Sequence, residues 1–207
     1  VSHREAAARF GMPFPASPLG WTRDALAELR GQRDGGLVFG TGFPILVGAL
    51  GPKMVALGAT DGDGVVLNWL TPESAKRSVA NMQQAAGPQR RPLSVLYVRI
   101  AEADALRTDA VNYDAMVNYH RHFAAQELTS PAAVVAGTCL PCDDAGFVRE
   151  RLAAYASAGL DVLCLYPHGL DPANGDAWDW YVIKAAQEGA LTIVTRQVGN
   201  EIDEFIV

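Results

Sequence analysis

The sequence predicts an α/β protein of the (β/α)8 barrel type, present as about four βα units, a half barrel, followed by an extra β-rich segment. Three observations predict it. Short apolar runs at 43–47, 65–70, 92–100 and 161–167 lack the alternation of a one-sided strand, which suits strands buried on both faces of a parallel sheet. Amphipathic segments with helix-start signals separate them, and strands alternating with helices make parallel βαβ units. At 207 residues the chain is slightly short for a complete barrel, which needs about 250. The whole of 1–207 is expected to form a single domain, with 190–207 as an atypical tail.

Residues 1–36 open with Val1-Ser2-His3 and a Gly/Pro-rich turn, Phe10-Gly11-Met12-Pro13-Phe14-Pro15. Trp21 to Arg30 is predicted helical, with Ala25, Leu26 and Leu29 on one face, and Gly31 to Gly42 is a glycine-rich loop. The first strand, Phe43 to Val47, runs into Gly48-Ala49-Leu50-Gly51-Pro52-Lys53. Met54, Val55, Leu57 and Ala59 then follow at helical spacing. Pro52 suits the first turn of a helix, where its missing N–H costs nothing. A glycine turn feeding a helix N-terminus offers free backbone N–H groups and the positive dipole end to an anion such as a phosphate, and Lys53 adds charge. The same spacing also fits an ordinary βα turn.

Asp61 to Gly64 reads as a turn and Val65 to Leu70 as the second strand. Thr71 is placed as N-cap and Pro72 at the first position of a helix through Ala86. Pro92 to Ile100 is the third strand, Asp104 to Leu128 one long helix, and Ser130-Pro131 the start of a shorter one. Cys139 to Asp144 is expected to be a loop, Phe147 to Ser157 a helix ended by Gly159, and Asp161 to Pro167 the fourth strand. Asp176 to Glu188 reads as its helix. Leu191 to Thr195 looks like a strand outside the alternation, Gly199-Asn200 like a turn, and Phe205 to Val207 like a short strand.

Composition bounds the function. A net charge of −6, with 23 acidic and 17 basic residues, argues against a nucleic-acid partner, since phosphate backbones are met by clustered Lys and Arg. The longest apolar run, Leu37 to Leu50, is interrupted by Gly and Pro and falls short of a membrane span of about 18 residues. Three cysteines imply a reducing compartment, hence a cytoplasmic location, rather than a disulfide scaffold. The start at Val1 rather than Met suggests processing or a fragment. Cys139-x-x-Cys142 has neither a second Cys pair nor a suitably spaced His pair, so no metal site is expected. A helix–helix loop is also the wrong setting for a redox pair, and both read as ordinary thiols. Cys164 falls mid-strand as core. His120 and His122, on different sides of a helix, read as surface or satisfied core positions rather than ligands, and His168 as a loop residue that could border the site.

Two stretches carry a family likeness. Pro44-Ile45-Leu46-Val47-Gly48-Ala49-Leu50-Gly51-Pro52-Lys53-Met54 and Asp63-Gly64-Val65-Val66-Leu67-Asn68-Trp69-Leu70-Thr71-Pro72-Glu73 resemble the luciferase-like monooxygenase family. The likeness is strongest to its branch using the deazaflavin coenzyme F420. Arg149-Glu150-Arg151-Leu152 through Tyr155, Ala158, Gly159 and Asp161, and the Tyr166-Pro167 strand ending, agree with it. Val1-Ser2-His3 with Phe10-Gly11-Met12-Pro13 is similar to the segment just after the family's fourth barrel strand.

The resemblance implies the C-terminal half of a barrel that binds F420, or alternatively FMN, at the carboxyl ends of its strands. It implies an oxidoreductase acting on a small-molecule substrate. Gly48, Ala49, Leu50, Gly51 and Lys53 would meet the cofactor's phosphate or side-chain end. Asn68 and Trp69 would border the site, and Ser2 and His3 would lie near the cofactor. Because the family's first four strands are not represented, two other readings stand beside the enzyme. One is a cofactor-binding relic without turnover, the other a half-barrel subunit completed by a second copy or a partner. The apolar inner faces, assigned to Ile45, Val47, Val66, Val95 or Leu96, and Leu163 or Leu165, lead to the expectation of a homodimer or a complementing half barrel.

Overall fold

The computed structural model describes residues 4–9, 11–34, 44–167 and 192–195. The predicted sites Ser2, His3 and His168, the 176–188 helix and the 205–207 strand lie outside the described residues. The chain divides into two compact units, 1–66 with 81–93, and 67–80 with 94–207. Every pairing between strands described below is parallel, as the βα alternation requires.

In the first unit, α1 (Arg4–Arg9) and α2 (Pro18–Asp34) precede β1 (Leu46–Gly48) and α3 (Pro52–Thr60). Strand β2 (Gly64–Asn68) begins here and pairs with β1, Val47 opposite Val65. Buried Leu26, Val47 and Leu57 form one cluster, with Leu19, Ile45 and Met54 packed on it. Ile45 and Val47 therefore face the helices, and it is Leu46 between them that turns to the other side. This reverses the inner-face assignment of Ile45 and Val47, because one step along a strand exchanges its faces. Leu29, expected with Ala25 and Leu26 on one face of α2, is 48% exposed, and Trp21 is 55% exposed.

Gly64 has a φ of +157°, and a Cβ there would sit 2.1 Å from the Leu93 carbonyl oxygen. Only glycine lets the chain pass so close. Asp63 beside it is a hub: its carboxylate accepts from the Ile45 amide at 2.8 Å and from Arg30 at 3.1 Å, and its carbonyl accepts from the Leu93 amide at 2.9 Å.

In the second unit, α4 (Pro72–Ala86) starts after the end of β2, and β3 (Leu93–Ala101) enters the unit at Ser94. Next come α5 (Ala103–Asp114), α6 (Val117–Ala124), α7 (Pro131–Thr138), the two-residue β4 (Leu140–Pro141) and α8 (Ala145–Ala156). The described chain ends in β5 (Val162–Pro167) and β6 (Thr192–Thr195). β3 pairs with β5, Arg99 opposite Tyr166, and its end pairs with β4; β5 pairs with β6. The expected loop at Cys139 to Asp144 thus holds a short strand. β6 joins in parallel, so residues 192–195 continue the alternation instead of standing outside it.

The sheet of this unit has two unlike faces. Ser94, Leu96, Val98 and Ile100 of β3, with Leu163 and Leu165 of β5, are at most 1% exposed. Each aliphatic side chain so buried contributes about 1.5–3 kcal/mol. On the opposite face Val95 and Tyr97 of β3 and Val162 and Tyr166 of β5 are only half-buried, whereas Arg99, Ala101 and Cys164 of that face are buried. Val95, rather than Leu96 or the Leu163 and Leu165 pair, is therefore on the less covered face.

The segment expected as one helix from Asp104 to Leu128 breaks at Ala115-Met116, where Met116 is extended at φ −91°, ψ 124°. No Gly or Pro marks the break. Bonds made by α6 side chains to the end of β2, described next, hold it there.

Candidate functional site

The first candidate site is the turn between β1 and α3. Gly51 is the N-cap of α3, extended at φ −105°, ψ 161°, and it makes no side-chain cap bond; Pro52 follows at the first turn. Its carbonyl accepts from the amides of Met54 and Val55, and the Ala49 amide donates to Val66 at 2.9 Å. Among the described residues no acceptor meets the amides of Leu50, Gly51 and Lys53. Gly51 and Lys53 are exposed. A Cβ built on Gly48 or Gly51 would meet nothing within 4 Å, and neither has a positive φ. Neither backbone strain nor packing therefore asks for glycine at these two positions. Gly58, by contrast, is fixed by packing, since a Cβ there would lie 2.6 Å from Val65. Open glycines ahead of a helix N-terminus leave room for a ligand to approach the backbone and meet the positive end of the dipole.

The second candidate lies at the carboxyl ends of β2 and β3. Trp69 is 1% exposed and sits in the left-handed region at φ +54°. That conformation costs a non-glycine residue on the order of 1–2 kcal/mol, and the contacts of the loop compensate. The Trp69 carbonyl accepts from His122 Nε2 at 2.9 Å and from Gln126 Nε2 at 2.9 Å. His122 Nε2 also reaches the Asn68 carbonyl at 3.1 Å. With two carbonyls as partners, this nitrogen carries the proton. Gln126 Oε1 accepts from the Thr71 amide at 3.0 Å, and the Tyr155 hydroxyl donates to the Leu70 carbonyl at 2.6 Å. Three side chains from α8 and the α6 segment thus satisfy four consecutive residues of a loop that no neighbouring strand could serve. The Thr71 hydroxyl accepts from the Ser74 amide at 3.2 Å, which confirms it as the cap of α4.

Above this loop Arg99 lies with its guanidinium 3.9 Å from the Trp69 ring and 4.8 Å from Tyr113. Such stacking is worth about 2 kcal/mol when desolvated. Its Nε donates to Asp109 at 3.2 Å and Nη1 to Asn68 Oδ1 at 2.8 Å. The Asn68 side chain also reaches the Tyr119 hydroxyl, whose pKa is raised, chiefly by burial. Trp69, Tyr113, Tyr119 and Phe123 pack ring to ring, with centroids 4.7–6.1 Å apart. Trp69 thus has its ring in the packed cluster, and Asn68 remains the half-buried member of the predicted pair.

The sequence profile of the luciferase-like monooxygenases matches residues 20–162. The chain belongs to that family. In structure this luciferase-like chain is similar to an F420-dependent secondary alcohol dehydrogenase solved in complex with an F420-acetone adduct. The TM-score is 0.58 and the identity 15% over 84% of the chain, of which the shared fold is the content. The chain spans 64% of the length of that dehydrogenase. No curated protein sequence matches it.

Of the residues the family likeness pointed to, Gly48, Ala49, Leu50, Gly51 and Lys53 lie together on the turn of the first unit. Asn68 and Trp69 lie at the end of β2 in the second. Arg99, Asp109, His122, Gln126 and Tyr155 were not foreseen. An arginine near the end of an otherwise apolar strand was the available signal for Arg99, since a buried cation needs partners.

Neither cysteine of the Cys139-x-x-Cys142 pair is an activated thiol. Burial pushes the Cys139 thiol from its ordinary value near 9 up to about 11, and burial also raises that of Cys142. The two residues of β4 between them hold their Cα atoms on the order of 10 Å apart, beyond the roughly 7 Å a disulfide spans. Among the described residues no group of three His, Cys, Asp or Glu is placed to hold a metal, and no helix is long and apolar enough to cross a membrane.

Proposed function

We propose that this chain is the cofactor-binding part of an oxidoreductase of the luciferase-like class, acting on a small organic substrate with coenzyme F420, and with FMN as the alternative cofactor. The observation that carries the reading is the pair Gly48 and Gly51, glycines that neither conformation nor packing explains, opening on free amides at the start of α3. That turn fits the phosphate-bearing end of either cofactor. The amides of Leu50, Gly51 and Lys53 would hold the anion, and the Lys53 ammonium would add a screened attraction. The F420 preference is supported by the dehydrogenase of similar fold and by the sequence likeness.

When bound, the cofactor supplies hydride chemistry, and the protein's part is orientation and exclusion of water. Asn68, anchored by Arg99 and Tyr119, is a polar group fixed in direction at the carboxyl end of its strand, where barrel sites are built. Trp69 acts through Arg99, whose guanidinium it holds flat. Location in the cytoplasm belongs to the same proposal.

The half-buried face of β3 and β5 favours a second arrangement, in which the chain completes its site as a homodimer or with a complementing half barrel. Titration with F420 and with FMN, followed by addition of NADPH or candidate alcohols, tests the enzyme reading. Binding followed by substrate-linked bleaching supports it. Binding without any turnover identifies a relic, and no binding of either cofactor overturns the proposal.

A further inference from the structure

Arg99 is a buried cation that cofactor binding at the glycine turn leaves unused. Two edges and the plane of its guanidinium are engaged: Nε with Asp109, Nη1 with Asn68, and the plane with Trp69, Tyr113 and, at 5.9 Å, Tyr166. Nη2 donates to no described residue. The donors wholly shut from solvent without an acceptor are, among the described residues, Arg30 Nε and Trp69 Nε1. Nη2 is not one of them, so its edge stays reachable. Strand alternation puts Arg99 on the half-buried face of β3, in line with Tyr97 and Val95 and opposite Tyr166 of β5.

The surroundings select the ligand. Asp109, with 15% of its side chain exposed against 7% for Arg99, already balances the positive charge, so a dianion such as phosphate meets a nearly neutral site. A single carboxylate needs only one charge-assisted bond in the guanidinium plane and gains from the planar fork. An apolar body attached to it finds half-buried Tyr97 and Val95 one and two steps back on the same face.

We propose that Arg99 recognises the carboxylate of a small organic acid through Nη2, with the acid's apolar body lying along Val95 and Tyr97. The inference rests on the reading that ligands enter at the carboxyl ends of these strands, the acid reaching back from Arg99 toward the middle of β3, but its test needs no cofactor.

Sodium benzoate is the probe, titrated into the full chain carrying Trp21→Phe, Trp178→Phe and Trp180→Phe, so that Trp69 beneath Arg99 is the only indole. A saturable change in Trp69 emission is expected. Arg99→Met should weaken it at least about tenfold, Arg99→Lys less, as expected for loss of a charge-assisted bond. Asp109→Asn, which removes the balancing charge, should tighten benzoate several-fold, and neutral benzamide should bind far more weakly. No response of Trp69 to benzoate overturns the assignment. So does unchanged affinity in an Arg99→Met chain that keeps its thermal transition or, should that variant not fold, unchanged affinity in Asp109→Asn. Inorganic phosphate binding more tightly than benzoate overturns the carboxylate class. Benzoate binding in a chain that binds neither F420 nor FMN keeps this inference and removes the cofactor reading; cofactor binding without benzoate does the opposite.

Discussion

Gln126 Nε2 donates to the Trp69 carbonyl at 2.9 Å while the same side chain accepts the Thr71 amide, so one amide group spans the loop at the end of β2. Gln126→Ala leaves the Thr71 amide without its acceptor and the Trp69 carbonyl with His122 alone. It should cost about 1–3 kcal/mol, the penalty for an unsatisfied buried polar group. Gln126→Glu retains the acceptor for Thr71 but not the donor for Trp69, and should recover only part. Urea unfolding of the three chains checks this; equal midpoints would mean that the loop holds its shape without Gln126.

The glycines should divide by environment. Gly58→Ala forces a Cβ to 2.6 Å from Val65 and 2.9 Å from the Gly64 carbonyl, and should lower stability by roughly 1–3 kcal/mol. Gly51→Val meets no neighbour and keeps an extended φ, so its loss should be confined to that of a poorer N-cap, on the order of 0.5–1 kcal/mol. A large loss in Gly51→Val would show that the turn is a packed element.

Cys139 makes stability depend on alkaline pH. Its folded pKa lies above its ordinary value because burial disfavours the thiolate. The unfolded chain therefore gives up this proton first, and the group's contribution to stability is lost as pH rises from about 9 to about 11. Below that window the contribution is constant. Denaturant titrations at stepped pH should show the decline, reduced in Cys139→Ala. In the folded protein at pH 8, Cys142, which is partly exposed, should react with a thiol reagent well before Cys139. Cys139→Ser with Cys142→Ser should leave cofactor binding unchanged; stoichiometric zinc in the purified protein, lost in that double variant, would contradict the reading of both as plain thiols.

Self-association is expected from the half-buried face of β3 and β5 and from the open backbone groups of edge strands. Sedimentation at micromolar concentration should show a dimer. Deleting residues 190–207 removes β6, the parallel partner of β5, and should shift the species distribution by baring that edge. A stable monomer for both chains would contradict this.

The βα order was legible because its signals are local. The Thr71 cap, Pro72 and Pro131 each mark the helix starts found in the structure. The turn at Gly48 to Lys53 was legible for the same reason. Strand faces at Ile45 and Val47 were not, since a short run apolar at every position has no alternation to break the tie. The break at Ala115-Met116 has no local mark, because its cause lies in bonds from His122 and Gln126 to residues more than fifty positions earlier in the chain. Arg99 was missed for the same reason: its partners Asn68 and Asp109 come from a strand end and a helix that only the fold brings to it.

Binding of coenzyme F420 to the parent chain and to Gly51→Val, side by side, tests the central claim most directly. Cofactor fluorescence at fixed ionic strength gives both affinities. The account predicts saturable binding by the parent, a loss of tenfold or more in Gly51→Val with thermal stability lowered only as far as a poorer N-cap accounts for, and a smaller, salt-dependent loss in Lys53→Ala. F420 binding of equal strength in all three chains would contradict it and move the cofactor away from the turn.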